Sequence, residues 1–533
     1  MTTGRRPGDE PAPAGGRMPG VTTGPRRSFG ALAGLLAAAV GLGVAEVVAA
    51  FIGPATSPVV AVGNAAISLT PEPVKHFAIT AFGTHDKLAL VVGTFVVLAA
   101  YALLVGLVAL RDRRFGAAGI ALFGLIGAVA ASSRPAAGPL DGLPSFVGAV
   151  AGIAALLVLV APLTVPAAGE PDATPSGMDR RRFVLTGGAA VGVAVLAGGT
   201  GRLLQRRFDV TALRAALTLP APASPAPALP AGVDLARTVP GLTPLFTRNG
   251  GFYRIDTAIA VPQIRPADYR LTLSGMFDSP RGYTLRELYD RTDLIERDVT
   301  LTCVSNEIGG DLAGTARWLG VPLGAFLREN GVRTTSTQLV CRSVDGMTIG
   351  APTRSALSVE DAMLAIGMNG EPLPVVHGFP VRMVIPGLYG YVSACKWLTS
   401  IEATTFEAYD AYWVARGWAR EGPIKVESRI DTPSQNPFPA GRRAIAGVAW
   451  AQTRGIGRVE VQVDGQEWLA ARLSPAIGLD LWRQWVLPYD FRPGTHRITV
   501  RATTADGEVQ TAAKAYPFPD GASGWHSVQA IAR

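Results

Sequence analysis

Five apolar runs, all N-terminal to Arg202, constrain this chain more than any other feature of its sequence. Residues 29–52 are mostly Ala, Leu, Gly and Val, with Glu46 as their one charge. Residues 88–110 and 115–132 are uncharged, 143–165 is apolar with prolines near its ends, and 183–201 follows Arg180, Arg181 and Arg182. A helix needs about 20 apolar residues to cross a hydrocarbon core of about 30 Å. Residues 29–165 are therefore expected to form four transmembrane helices, with a fifth segment in 166–204.

The placement of cations sets the expected orientation. Arg5, Arg6, Arg17, Arg26 and Arg27 crowd the tail at 1–28; Arg111, Arg113 and Arg114 follow the second run; Arg180 to Arg182 precede the fifth. The alternate loops carry Lys75, Lys87 and Arg134, while Arg202, Arg206 and Arg207 run against the trend. The majority puts the N-terminus in the cytoplasm, makes the protein a multi-pass protein of the cytoplasmic membrane, and leaves everything after residue 201 outside. The string Asp179-Arg180-Arg181-Arg182-Phe183-Val184-Leu185, followed by Gly and Ala, resembles a twin-arginine export signal; an ordinary cytoplasmic flank reads equally well.

The spans themselves carry little chemistry. No histidine lies inside them, His76 and His85 falling in the loop before the second, so no transmembrane haem is expected. Glu46 is the one intramembrane carboxylate, roughly 9 Å from its helix end at 1.5 Å per residue, and a structural role is expected for it. Nearly charge-free spans argue against a proton-coupled transporter. The net charge of +8 does not imply nucleic acid, because the arginines sit at segment ends and form no basic stripe. Three cysteines are too few for a disulfide scaffold or a Cys-only zinc site.

Residues 205–240 are rich in Pro and Ala and read as an extended tether. Beyond them, 241–430 mixes strands and helices as an α+β domain. A helix is expected at 284–289 from a threonine cap, another at 323–329 stopped by Asn330-Gly331, and a third opening at Ser358. Residues 431–533 show short strands at 444–451, 458–463, 467–473, 482–487, 495–502 and 508–513, the spacing of a β-sandwich.

Two stretches carry the chemistry. In the first, Leu301-Thr302-Cys303-Val304-Ser305-Asn306-Glu307-Ile308-Gly309-Gly310, a strand delivers a thiol to a glycine-bearing loop. Such a thiol can be a nucleophile, a soft-metal ligand whose other ligands come from a cofactor, or a buried filler. In the second, His377-Gly378-Phe379-Pro380-Val381-Arg382 continues through Pro386-Gly387, Tyr389-Gly390 and Ser393 to Lys396-Trp397-Leu398. A histidine, an arginine and a lysine along a path with exposed backbone amides suit a phosphate joined to a polar heterocycle.

Together with Phe246-Thr247-Arg248-Asn249 and Met368-Asn369-Gly370-Glu371-Pro372-Leu373-Pro374, these stretches resemble the sulfite oxidase family of molybdopterin enzymes over about residues 240–515. Added to the helices expected from the apolar runs, the resemblance implies a multi-domain chain: N-terminal transmembrane helices, then an α+β molybdopterin domain, then an immunoglobulin-like sandwich that family members use for dimer contacts. It implies a molybdenum–molybdopterin cofactor with Cys303 as metal ligand and catalytic centre. Arg248, Asn249, Phe252 and Tyr253 would contact the pterin, His377 and Arg382 its ring and phosphate, and Ser393 and Lys396 would close over the phosphate, with Ser343 as a further contact. The implied reaction is two-electron oxygen-atom transfer to or from a small sulfur compound, with sulfoxide reduction as the alternative direction. No haem motif or flavin fingerprint accompanies it, so a separate electron donor or acceptor, in the membrane or outside it, is expected. The chain departs from the family at 304–308, where Glu307 stands in a stretch that carries arginines in animal and plant sulfite oxidases; an acid there disfavours a sulfite dianion. A non-catalytic binding or sensory protein is the alternative from another class.

Overall fold

The computed structural model describes residues 23–70, 74, 86–134, 137–164, 179–434 and 437–533. His76, His85, Lys75, Arg5, Arg6 and Arg17 lie outside them. The chain divides into two compact units, one of residues up to Gln205 apart from the loop at 133–138, the other from Arg206 onward.

The first unit is helical: α1 (Thr23–Ile52), α2 (Pro58–Leu69), α3 (Asp86–Ala109), α4 (Arg113–Ser132), α5 (Leu143–Val160) and α6 (Arg180–Gln205). Among the described residues α1 and α3 to α6 are long and apolar enough to cross a membrane. Helix α2 was not expected; it is 12 residues long and begins with Pro58, whose fixed φ and missing N–H suit a first helical turn. Small residues let the helices approach closely: a Cβ added at Gly34 would lie 2.0 Å from the Ala102 carbonyl oxygen, and one at Gly106 2.1 Å from that of Gly30. Glu46 is held by neutral donors, the Ser57 hydroxyl and Gln205 Nε2 at 2.7 Å.

The second unit contains two sheets and then a sandwich. Strands β1 (Arg270–Gly275), β2 (Gly282–Thr284), β3 (Ile295–Thr302), β4 (Ala313–Pro322), β5 (Gln338–Ser343), β6 (Thr348–Pro352), β7 (Met363–Met368), β8 (Glu371–Pro372), β9 (Arg382–Val384) and β10 (Leu398–Thr404) lie in the α+β part. One sheet runs β2-β1-β10-β5-β6; the other runs β3-β4-β7-β8, with β9 on β7. Between elements of both lies a core that includes Leu271, Phe326, Leu339, Leu364, Met383 and Ile401. The helix Leu285–Tyr289 starts in a complete capping box, Thr284 and Glu287 each accepting from the other's backbone N–H, and Leu323–Glu329 ends ahead of Gly331 at φ 67°. The helix expected to open at Ser358 instead ends there, spanning Thr353–Ser358. Asp361 pairs with Arg297 at 2.7 Å rather than helping to cap a turn.

Strands β11 (Glu427–Thr432), β12 (Gly441–Trp450), β13 (Ile456–Val463), β14 (Leu469–Ala470), β15 (Arg472–Leu473), β16 (Arg483–Phe491), β17 (Gly494–Thr504) and β18 (His526–Ala532) form the C-terminal part. The sheets β11-β12-β16-β15 and β14-β13-β17-β18 share an apolar core around Ile445, Val461, Trp485 and Ile498. The strand expected at 467–473 is two short strands in different sheets. The segment at 508–513 is not a ladder strand: the buried Gln510 side chain occupies it, accepting from Ser428 Oγ at 2.6 Å and donating to the Gly524 carbonyl at 2.8 Å.

The Pro/Ala-rich stretch is no free tether. Val210 is buried, Arg214 donates to the Leu373 carbonyl at 2.7 Å and pairs with Glu371, Ala223 N–H reaches Leu294 O, and Leu235 N–H reaches Gln484 Oε1 at 2.7 Å. Proline removes donors but leaves carbonyls free, so the strap docks through the N–H groups and side chains between its prolines.

Candidate active site

The hairpin β3–β4 builds the site. Its ladder closes at Thr302 and Ala313, and Cys303 opens the connecting loop 303–312. Cys303 N–H donates to Leu312 O at 2.9 Å, and Cys303 O accepts from Asn306 N–H at 3.0 Å. The ring is tied internally by Asn306, whose Oδ1 accepts from Leu312 N–H at 2.9 Å.

Cys303 faces a cavity of about 110 Å³. Of the residues singled out from sequence, Phe252, Tyr253, Ser343, His377, Arg382 and Lys396 also line it. Ser343 ends β5 and Arg382 opens β9, so each sheet contributes a residue to the wall. Phe252 and Tyr253 stack at 5.2 Å, and Phe252 meets His377 edge-on at 5.6 Å.

Three expected contacts do not line the cavity. Arg248 is exposed. Asn249 spends its side chain on Glu371 and the Met368 carbonyl, and meets the site only through its backbone oxygen, 2.8 Å from His377 Nε2. Ser393 is fully buried, its hydroxyl donating to the Leu388 and Tyr389 carbonyls; in the short helix Gly390–Ser393 it ties the chain back on itself. Glu307 is exposed, beyond a tight turn in which Gly310 N–H reaches its carbonyl at 2.8 Å. The acid expected to meet an anionic substrate thus stands outside the cavity.

The lining also includes Asp256, Thr257, Asp345, Met347, Tyr391, Cys395 and Trp413, none of which the sequence reading assigned to the site. Asp256, two residues past Arg254, had a faint signal as an Arg-x-Asp pair following the aromatic dipeptide. Trp413 had none, because it comes from a loop beyond β10.

Burial dominates the electrostatics. Arg382 is 5% exposed, donates to the His377 carbonyl at 3.1 Å, and lies over Trp318 at 5.1 Å. Loss of solvation lowers its pKa to about 10. Lys396 pairs with Asp256 at 2.7 Å; burial lowers it to about 8 against the opposing pull of that carboxylate. His377 is lowered to about 4, first by burial and then by Arg382 and Lys396, so its ring is neutral at pH 7. Burial also raises the Cys303 thiol, opposed by hydrogen bonds from Ser305 and by Lys396. Two buried polar atoms on the wall, Ser343 Oγ and Arg382 Nε, have no hydrogen-bond partner among the described residues. Buried polar atoms are rarely left so; the Arg382 Nε–H and the Ser343 hydroxyl could each donate to an acceptor brought into the cavity.

Residues 258–413 match the family of oxidoreductase molybdopterin binding domains. The chain is similar to sulfite oxidase of Gallus gallus, 29% identical over half of this chain and 68% of that protein. It is also similar to the mitochondrial sulfite oxidases of Homo sapiens, 29% identical over 49% of this chain and 55% of that one, and of Mus musculus, 31% identical over 45% and 51%. The match thus spans about half the length of the mammalian relatives. Among solved structures, the sulfane dehydrogenase SoxCD of Paracoccus pantotrophus aligns at 22% identity with a TM-score of 0.48, covering 54% of this chain and 81% of that one.

Proposed function

We propose that the chain is a membrane-anchored, extracytoplasmic member of the sulfite oxidase family of molybdopterin-dependent oxidoreductases, a reading supported by the match at 258–413 and by its sulfite oxidase relatives, and that it transfers an oxygen atom to or from a small sulfur compound, with Cys303 as the protein ligand of the metal. One observation carries the reading: Cys303, the carboxylate-free cation Arg382 and the unpartnered Ser343 hydroxyl converge on a single cavity.

The donor set suits molybdopterin. Among the described residues no three His, Cys, Asp or Glu side chains cluster as a metal site, so a metal at Cys303 requires a cofactor that brings its own ligands. A phosphate-bearing pterin would place its anion near Arg382 and Lys396 and offer acceptors to Ser343 Oγ and Arg382 Nε. The bound group supplies two-electron redox chemistry at an oxo-metal centre. The chain's own residues would orient it: neutral His377 presents a ring edge, Phe252 and Tyr253 give an apolar wall, and the buried Arg382 holds positive charge there. Arginine placement around the five apolar helices supports an exported catalytic domain, and the two-sheet C-terminal part supports an immunoglobulin-like sandwich with a role in homodimer contacts. Electrons pass to or from a separate partner.

The test is metal analysis. The purified chain should carry about one molybdenum, and Cys303→Ala should lose oxygen-transfer activity with its thermal transition retained. A folded parent without molybdenum or pterin overturns the proposal. Dye-linked assays run in both directions separate sulfur oxidation from sulfoxide reduction.

A further inference from the structure

The sandwich contributes a buried acid to the far side of the Cys303 loop. Glu427, on β11, is 7% exposed and accepts from Asn306 Nδ2 at 3.0 Å on one oxygen and from Tyr389 OH at 3.3 Å on the other. Asn306 is the internal tie of the 303–312 ring, so its side chain is used at both ends: Oδ1 toward Leu312 and Nδ2 toward Glu427. Tyr389 immediately precedes Gly390 and Tyr391, which line the cavity. Two neighbours complete the support: Arg429 Nη1 donates to Gly310 O at 2.9 Å, and His526 leaves room only for a glycine at 309, where a Cβ would lie 2.3 Å from its ring.

We propose that Glu427 is a positioning residue for the reaction, a clamp from the sandwich that sets the orientation of the Cys303 sulfur by holding together Asn306, on the Cys303 loop, and Tyr389, next to the lining residues Gly390 and Tyr391. The reasoning is geometric. Asn306 N–H bonds directly to Cys303 O, so rotation of the amide plane at 306 is transmitted to the residue that bears the thiol through one hydrogen bond. Among the described residues Asn306 Nδ2 donates to Glu427 alone. Burial raises the Glu427 carboxyl to about 8, in keeping with a clamp made of neutral hydrogen bonds. The sandwich therefore acts within the site, beyond packing or dimer contacts.

This inference rests on the reading of Cys303 as the metal ligand, and its test keeps the two apart. Full-length parent, Glu427→Ala, Glu427→Gln and Tyr389→Phe would be purified in detergent and compared for molybdenum per chain, visible absorption, the paramagnetic resonance of the partly reduced metal, and steady-state reduction of dimethyl sulfoxide by reduced methyl viologen. Glu427→Ala should keep its molybdenum, shift the resonance and the sulfur-to-metal absorption, and lose about ten-fold or more in kcat at unchanged KM, since small misplacements in an active site cost up to 100-fold. Glu427→Gln, which can still accept from Asn306, should restore parent spectra and kcat to within about two-fold, and Tyr389→Phe should fall between. Should Glu427→Ala fail to accumulate, the comparison of Glu427→Gln with Tyr389→Phe decides. Unchanged spectra and kcat in a metal-loaded Glu427→Ala or Tyr389→Phe overturn the clamp, as does equal impairment of the Ala and Gln variants. A parent without molybdenum overturns the ligand assignment instead.

Discussion

Replacing Arg382 by methionine tests the reading that this cation is kept for a ligand rather than for the fold. Arg382 is buried without a carboxylate partner in its immediate hydrogen-bond set, which consists of the His377 and Ala394 carbonyls. A guanidinium lowered by burial to about 10 from its ordinary 12.5 is disfavoured in the folded state by roughly 3 kcal/mol at neutral pH. The sign follows from linkage: the penalty is fully present below pH 10 and fades only as pH rises toward the unfolded value. Methionine removes that penalty and fills similar space, but leaves two carbonyls with one donor fewer, at about 1 kcal/mol each, and forfeits the stacking on Trp318, worth about 1 kcal/mol. The balance is near zero, against the 3–5 kcal/mol normally lost when one partner of a buried ion pair is removed. Cofactor-free Arg382→Met should thus melt within about 2 °C of the cofactor-free parent by tryptophan fluorescence, while its molybdenum content after expression falls at least about ten-fold, the cost of one charge-assisted contact. A drop of 6 °C or more in the cofactor-free variant, or a full complement of molybdenum, refutes the argument.

His377 has its pKa lowered to about 4 from 6.5, so stability is lost as pH falls from 6.5 toward 4; His377→Gln should lessen the drop in melting temperature between pH 7 and pH 4.5 that the parent shows. Lys396→Met removes the cation that pairs with Asp256 in a site where both side chains are largely buried; because Asp256 keeps Arg254 at 2.8 Å, the loss should fall below that of an orphaned buried charge, at about 1–3 kcal/mol, with less cofactor retained, measured by melting and metal content, and Lys396→Arg intermediate. Gly34→Val drives a side chain into the Ala102 carbonyl, an overpacking cost of about 1–3 kcal/mol or more; its helical unit should aggregate on detergent extraction, whereas Gly188→Val, with open space around it, should behave as the parent.

The local signals that survived into three dimensions are those that need no distant partner. Apolar runs became helices because every backbone group of a helix is satisfied within it, and the cap at Thr284 and the stop at Gly331 are short-range chemistry. The thiol at 303 and the cations at 382 and 396 stood out because their residue types are unusual together, and all three line one cavity. Signals that depend on the fold failed at 508–513, where a buried glutamine displaced the expected strand, and at 205–240, where composition suggested a tether and the chain formed a strap. Asn249 and Ser393 looked like ligand contacts; the fold turned their polar groups toward its own backbone.

The order of apolar runs, arginines and motif residues, written into the chain itself, determined that five long helices precede a thiol-bearing α+β domain and a two-sheet C-terminal part, because periodicity and residue chemistry act over a few positions. Only the tertiary structure decided that Glu307 stands outside the cavity lining, that Asp256 and Trp413 join its wall, and that Glu427 reaches the Cys303 loop from a strand over 100 positions downstream. Side-chain direction at a loop and the meeting of distant strands are fixed by packing, which no local pattern encodes.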